Sequence, residues 1–281
     1  MPPALPIPAR LDAREQRQLA WSVALLLLVL LAPAALGDFS AFPALAHGLE
    51  LAISAAFALA AYLCRGVTPS GAVAGLAISY AIYVGAGLAG FAALVMLFVL
   101  TWCSTRLGRR RKRLLRVRDD TRGRTAAQVV SNLGVAGLCA LAALASPAPQ
   151  VFVLAMAAAL AEAAADTVSS EVGEATGRDA LLITTLRRVP AGTDGGVTLI
   201  GSCAGIFAAL LVAGVVFWQP HAGSRVFLVA ALGGILGVVC DSFLGATLER
   251  RHILGNNGVN FLSTAFAATL GWLAAHFLLH W

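Results

Sequence analysis

Two acidic clusters hold most of the chemical potential of this chain. The first reads Glu162-Ala-Ala-Ala-Asp166-Thr-Val-Ser169-Ser170-Glu171-Val-Gly173. On a helix, Glu162, Asp166 and Ser169 or Ser170 share one face. The second reads Cys240-Asp241-Ser242-Phe-Leu-Gly245-Ala-Thr247-Leu-Glu249, with Asp241, Gly245 and Glu249 on one face in the same way. Both clusters close strongly apolar runs, and a carboxylate within such a run marks function. The runs are read as ending at the clusters, so the carboxylates sit at helix C-termini. The helix dipole disfavours them there, and something positive must compensate. Magnesium suits oxygen-only ligands, keeps several waters and bridges to phosphates. Arginine partners are the alternative.

Glycine-rich segments precede other apolar runs. Arg187-Arg188-Val-Pro190-Ala-Gly192-Thr193-Asp194-Gly195-Gly196-Val-Thr198 is one; Asn256-Asn257-Gly258-Val-Asn260 and Thr68-Pro69-Ser70-Gly71 are the others. Glycine lets backbone N–H groups approach an anion, and a helix N-terminus favours negative charge. A plain tight turn is the competing reading of each. Together, acidic helix ends and glycine-rich helix starts on one side suit a metal and a phosphate. Other chemistries find no support. The only lysine, Lys112, lies in an arginine run rather than a Walker A motif, and the protein-kinase signatures are absent. The five histidines (His47, His221, His252, His276, His280) lack metal-ligand spacing. No Gly-x-Ser-x-Gly elbow occurs.

These residues must be positioned by a membrane protein. Of 281 residues, 59% are hydrophobic and only 12% charged, with a mean hydropathy of +0.83. That excludes a disordered chain, a soluble single-core enzyme and, despite the net charge of +6, a soluble nucleic-acid binder. The expected fold is an all-α polytopic membrane protein forming one membrane domain over residues 1–281. Its nine spans are placed at 19–37, 46–64, 69–86, 89–105, 126–146, 150–168, 198–218, 226–248 and 260–280. The breaks at 85–90 and 146–149 fit either full spans or re-entrant pairs. A cytoplasmic N-terminus places the tail 1–18, the turn at Arg65, the basic loop 106–125 and the loops 169–197 and 249–259 inside. These hold 19 of the 20 basic residues, leaving Arg225 outside, as the positive-inside rule requires. The basic loop is read as an anchor touching anionic membrane lipid, or as a surface that captures a phosphate-bearing substrate. The cysteines Cys64, Cys103, Cys139, Cys203 and Cys240 read as packing residues, and Trp272 and Trp281 as interfacial anchors.

An internal repeat is visible. Val67-Thr-Pro-Ser-Gly-Ala-Val-Ala-Gly matches Val197-Thr-Leu-Ile-Gly-Ser-Cys-Ala-Gly at five of nine positions. Spans 3–5 and 7–9 are therefore expected to form a parallel repeat, with Asn132 and Asn260 in equivalent places and the site between the halves.

At these motifs the chain resembles an integral-membrane family long labelled as of unknown function, which includes the plant chloroplast phytyl-phosphate kinase and an animal transmembrane protein. The resemblance rests on Gly123-Arg124 with Gln128 and Asn132, Asp166 to Gly173, Val189 to Val197, Asp241 to Thr247 and Asn257 to Asn260, in family order over roughly residues 45–280. Where that family is expected to carry lysine before the Val-Pro turn this chain has Arg188, and Glu249 replaces an expected glutamine. The resemblance implies transfer of a phosphoryl group from a nucleoside triphosphate, by analogy CTP, to an isoprenoid monophosphate. On that reading Asp166 and Asp241 hold Mg²⁺ with Glu171 assisting. The loop with Gly192, Thr193, Gly195 and Gly196 cradles nucleotide phosphates, and Arg124, Arg187 or Arg188 neutralises them. Asn132, Asn257, Asn260, Ser170 and Ser242 complete the binding set. Partners are the isoprenoid phosphate, the nucleotide and membrane lipids, with no nucleic acid. A lipid or small-molecule transporter is the alternative, and a non-catalytic scaffold a third reading. High alanine and arginine content points to a GC-rich bacterial genome and hence an inner-membrane location.

Overall fold

The computed structural model describes residues 17, 18, 20–24, 47–107, 123–176, 179–216 and 224–278. Most of span 1, most of the basic loop, His221, His280 and Trp281 lie outside the described residues. The elements are α1 (Gly48–Leu63), α2 (Pro69–Arg106), α3 (Ala126–Ala145), α4 (Pro149–Thr176), β1 (Ala180–Leu182), β2 (Arg188–Val189), β3 (Gly196–Val197), α5 (Leu199–Val216), α6 (Ser224–Leu244) and α7 (Asn256–Leu278). A π-helical turn, Gly245–Glu249, continues α6.

The protein is a mostly helical integral membrane protein. Among the described residues, six helices (α2 to α7) are long and apolar enough to cross a membrane, whereas α1 is shorter, at 16 residues. Helix α2 folds back on itself. Gly87 departs from helical geometry (φ 66°, ψ −165°). The rings of Tyr83 and Phe91 stack with centroids 4.8 Å apart, although eight residues of straight helix would separate them by about 12 Å along the axis. The break expected at 85–90 is therefore a reversal between two antiparallel arms.

Helix α4 is the centre of the bundle and touches α2, α3, α5, α6 and α7. Its most apolar window is 83% buried. The run Ala157-Ala-Ala-Leu-Ala-Glu-Ala-Ala-Ala165 permits this, because small residues let neighbouring backbones close in where no water drives association. Glycines answer from the facing helices: a Cβ on Gly234 would lie 2.7 Å from the Ala161 side chain, and one on Gly205 2.9 Å from the Ala165 carbonyl oxygen. All five cysteines are free; Cys139 and Cys240 are partly buried, whereas Cys64, Cys103 and Cys203 are exposed, so the packing reading does not extend to those three.

Two local readings are corrected. Helix α4 runs to Thr176 rather than stopping at 168, so Ser169 to Gly173 are helical and not part of a loop. Asp166 sits ten residues before its end, and Asp241 eight residues before the end of the π turn. The dipole argument acts only over the last turn, so it does not apply to either aspartate; desolvation takes its place. The remaining segment is not a plain loop either. It folds into a three-stranded antiparallel sheet, ordered β2-β1-β3, with Leu181 opposite both Arg188 and Val197.

A polar cleft where five helix ends meet

The cleft lies at one end of the bundle. It gathers the C-terminal part of α4 (Asp166 to Glu174), the π end of α6, the starts of α3, α5 and α7, and the glycine-rich turn before β3. Its volume is about 310 Å³, at the low end of small-ligand pockets. Arg225 starts α6 and therefore lies at the opposite end from Asp241 and Glu249.

Asp166 and Asp241 form its floor. Their carboxyls face each other within hydrogen-bonding reach from α4 and α6. The Ser263 hydroxyl of α7 donates to Asp241 Oδ2 at 3.1 Å. Glu162 lies one turn deeper on α4, adjacent to both aspartates, and is 1% exposed. Its Oε1 has no hydrogen-bond partner. Space for this side chain comes from Gly237, where a Cβ would lie 2.5 Å from Glu162 Cγ. Glu162 was visible in the sequence as the deeper member of the acidic face; its near-complete burial and the unpartnered Oε1 come from the packing. Like charges gathered away from water are costly unless a cation joins them.

Arg124 supplies positive charge beside Asp166 and donates from Nη2 to Thr167 Oγ1 at 3.3 Å. Its backbone is pinned: Arg124 N–H donates to the Gly66 carbonyl (2.9 Å), and Arg124 accepts from Thr68 N–H (3.0 Å). Gly123 makes this bridge possible, with φ +84° and a Cβ position only 2.8 Å from the Val67 backbone. Thr125 then starts α3 in a capping box with Gln128, whose Oε1 accepts the Thr125 N–H at 2.8 Å. Gln128 therefore builds the helix start that carries Arg124 and Asn132.

The glycine turn covers the cleft. Gly192 and Gly195 have φ of +81° and +74°, and Gly195 packs so tightly on Ala246 that a Cβ would overlap its backbone. Thr193 N–H donates to Pro190 (3.3 Å) and Gly196 N–H to Thr193 (2.8 Å). These two N–H groups are spent within the turn. The tight-turn reading is thus correct for them, and the cradle expectation does not extend to them.

Asn260 donates to Asn132 Oδ1 (3.2 Å) and accepts from Asn256 (2.9 Å), linking α7 to α3. Asn256 was not among the expected site residues, although it opens the quoted Asn-Asn-Gly stretch. Ser170, Glu171, Gly192, Thr193, Gly195, Gly196, Ser242 and Asn257 all line the cleft. Glu171 lies near Asp166, but among the described residues no three acidic, histidine or cysteine side chains converge as an ion site. Glu171 is therefore not brought into a three-ligand set with the aspartates. Two facing carboxylates still fit Mg²⁺, which commonly takes one or two protein carboxylates and completes its shell with waters and substrate phosphates.

Arg187 and Arg188 are exposed and do not line the cleft. The strand register explains Arg188. It pairs with the half-exposed Leu181, whereas Ala180 faces the cleft, and successive strand residues point to opposite sides. Thr68 to Gly71 also miss the cleft; Gly71 instead borders a neighbouring apolar slot.

The fold and cleft define a polytopic membrane protein with an acidic, glycine-covered site at one end. Residues 52–268 match the family described as integral membrane protein DUF92, and the chain belongs to that family. It is 30% identical over 208 residues to an uncharacterized membrane protein of Synechocystis, covering 73% of this chain and 81% of the relative. It is 27% identical over 225 residues to Protein VTE6, chloroplastic, of Arabidopsis thaliana, covering 77% and 68%. An uncharacterized membrane protein of Methanocaldococcus jannaschii is 38% identical over 112 residues, which cover 40% of this chain and 47% of that one. No solved structure matches the chain.

Proposed function

We propose that the protein is a membrane-embedded phosphotransferase that converts an isoprenoid monophosphate to its diphosphate with a nucleoside triphosphate, CTP by analogy, and Mg²⁺. The observation that carries this reading is the pair Asp166 and Asp241 facing each other beside Arg124 at the floor of a polar cleft. Its family contains the plant phytyl-phosphate kinase that the sequence motifs resemble.

Asp166 and Asp241 hold the metal, which when bound neutralises phosphate charge and orients the donor. An oxygen of the acceptor phosphate attacks the terminal phosphorus of the nucleotide, and the bond to the bridging oxygen breaks to leave the nucleoside diphosphate. The attacking oxygen is already anionic, so no general base is needed. Catalysis is positioning and charge stabilisation. Arg124 neutralises phosphate oxygens, with its rigid backbone anchor limiting the reorganisation required. Asn257, Ser170 and Ser242 position oxygens by hydrogen bonds, and Asn256, Asn260 and Asn132 hold α7 against α3. The same proposal includes nine spans, a cytoplasmic cleft in a bacterial inner membrane, and a parallel repeat. Matching N-caps support the repeat: Thr68 Oγ1 accepts from Gly71 N–H, as Thr198 Oγ1 does from Gly201 N–H. The hydrogen bond between the paired Asn132 and Asn260 also supports it.

The test uses purified protein in detergent with Mg²⁺, each nucleoside triphosphate, and phytyl or geranylgeranyl monophosphate, with products read by mass spectrometry. Diphosphate formation that is lost in Asp166→Asn is expected; none with any donor, from folded protein, refutes the reading. One observation favours a second reading, transport of a lipid or small molecule: Glu162 extends the acidic line into the buried part of the bundle. Flux across proteoliposomes without nucleotide is the result that would establish it.

A further inference from the structure

Beside the polar cleft lies a second cavity, a narrow apolar slot of about 110 Å³ between α1, both arms of α2 and the start of α3. The two cavities share Arg124, Gln128, Asn132 and Glu171 as a common wall. The slot is polarised along its length. Arg65, Arg106 and Arg124 stand at the end nearest the cleft, and Phe57 and Leu94 lie at the far end. From Leu94 to Thr105 the second arm of α2 follows it for twelve residues, or about 16 Å of helix. The far end is walled by aromatic edges: Phe57 packs edge-on against Phe91 (5.6 Å) and Phe98 (5.5 Å).

The basic end is built and rigid. Arg106 Nη2 donates to the Cys64 carbonyl at 2.7 Å, and its guanidinium lies 3.6 Å over the Trp102 ring. Trp102 Nε1 donates to the same carbonyl at 3.2 Å. Arg65, with φ 57°, turns the chain there. Held cations at one end of an apolar slot fit an anionic head with a single hydrocarbon chain.

We infer that this slot binds the hydrocarbon chain of the isoprenoid monophosphate, with Arg65 and Arg106 flanking its phosphate and Arg124 passing that phosphate into the cleft. This rests on the proposed function and adds the place where acceptor chain length is read. Gly75 is the position that meters it. It lines the slot one helical turn beyond Gly71, and a Cβ there meets nothing within 4 Å. A larger side chain at 75 therefore fills the slot without disturbing the helix.

Two measurements on the full chain in detergent test this. In the kinase assay, Gly75→Leu raises KM for geranylgeranyl monophosphate at least about tenfold, and KM for isopentenyl monophosphate far less. Equal effects on both acceptors, or none on either, would overturn the proposal. The second measurement needs no turnover, so it stands even if the kinase reading fails. A geranylgeranyl monophosphate carrying a diazirine at its tail end is photo-crosslinked to wild type and to Gly75→Leu, and the labelled peptides are mapped. Labelling is expected in 57–61 and 91–98, competed by unlabelled geranylgeranyl monophosphate and lost in Gly75→Leu. Labelling elsewhere, no specific labelling, or equal competition by added phospholipid would show that the slot is not the acceptor's chain site.

Discussion

Three glycine-to-alanine substitutions separate what the roof of the cleft and the α2 reversal each demand. At Gly75 the added methyl meets nothing within 4 Å in a regular helix, so Gly75→Ala should stabilise by about 0.5–1 kcal/mol through the unfolded state. At Gly87 the methyl also meets nothing, but φ 66° and ψ −165° lie in a region essentially reserved for glycine. Gly87→Ala should therefore destabilise by about 1–3 kcal/mol from backbone strain alone. At Gly195 both terms act. The positive φ contributes about 1–2 kcal/mol and overlap with the Ala246 backbone about 1–3 more. Gly195→Ala should thus be the worst of the three at about 2–5 kcal/mol, relieved in practice by the turn lifting off α6. Reversible unfolding in mixed detergent micelles, followed by tryptophan fluorescence, ranks the variants. Limited trypsin digestion at Arg187 and Arg188 reports the local consequence, since a lifted turn is cut faster. If Gly195→Ala is as well tolerated as Gly75→Ala and its digestion is unchanged, the turn does not rest on α6 and the cleft has no fixed roof.

Asp166→Asn and Asp241→Asn should each lower turnover by at least about a hundredfold with folding retained, because each removes one of the two carboxylates proposed to hold Mg²⁺; full activity in both ends the metal assignment. The Asn132 to Asn260 hydrogen bond should appear in a double-mutant cycle of the alanine variants as a coupling of about 0.5–1.5 kcal/mol in unfolding free energy, and strict additivity contradicts it. Arg124→Gln should raise KM for the phosphorylated acceptor more than it lowers kcat, a split that steady-state kinetics reads directly; unchanged kinetics would remove Arg124 from the phosphate path.

The parts of the site legible in the sequence were those whose chemistry conflicts with their surroundings. Asp166 and Asp241 stand out because charge does not belong in an apolar helix, and Gly192 and Gly195 because a glycine-rich run before an apolar segment signals a turn, which their positive φ bears out. Features made by geometry across elements were hidden. Strands of two or three residues such as β2 and β3 are too short to show a period of two, so nothing signalled that Arg188 faces away. Helix α4 continues past Asp166 because Thr167 to Thr176 contains no glycine–proline stop, only Gly173. That glycine serves packing instead: a Cβ on it would lie 2.9 Å from Thr198 Oγ1 at the start of α5. The asparagine link spans 128 residues of sequence; the repeat put Asn132 and Asn260 in equivalent places, but only the packing brings the two side chains into contact. The shared wall of slot and cleft is likewise a property of packing alone.

Glu162 decides between structure and function most directly. A buried carboxylate kept only for packing should be paired, yet its Oε1 has no partner and a glycine is placed opposite to admit it. Burial away from water opposes keeping this carboxyl ionised, so losing the titratable group should cost folding little. Glu162→Gln keeps the shape and removes the titratable group. Its expected signature is therefore unfolding stability unchanged or raised by about 1–3 kcal/mol, combined with a turnover that falls at least about tenfold and a shifted Mg²⁺ dependence. That combination, gain in one and loss in the other, is what a group held in a destabilising place for activity produces. The reverse pair of results, lower stability with unchanged turnover, would mean that Glu162 is a structural ligand of its neighbours. The acidic line would then end at Asp166.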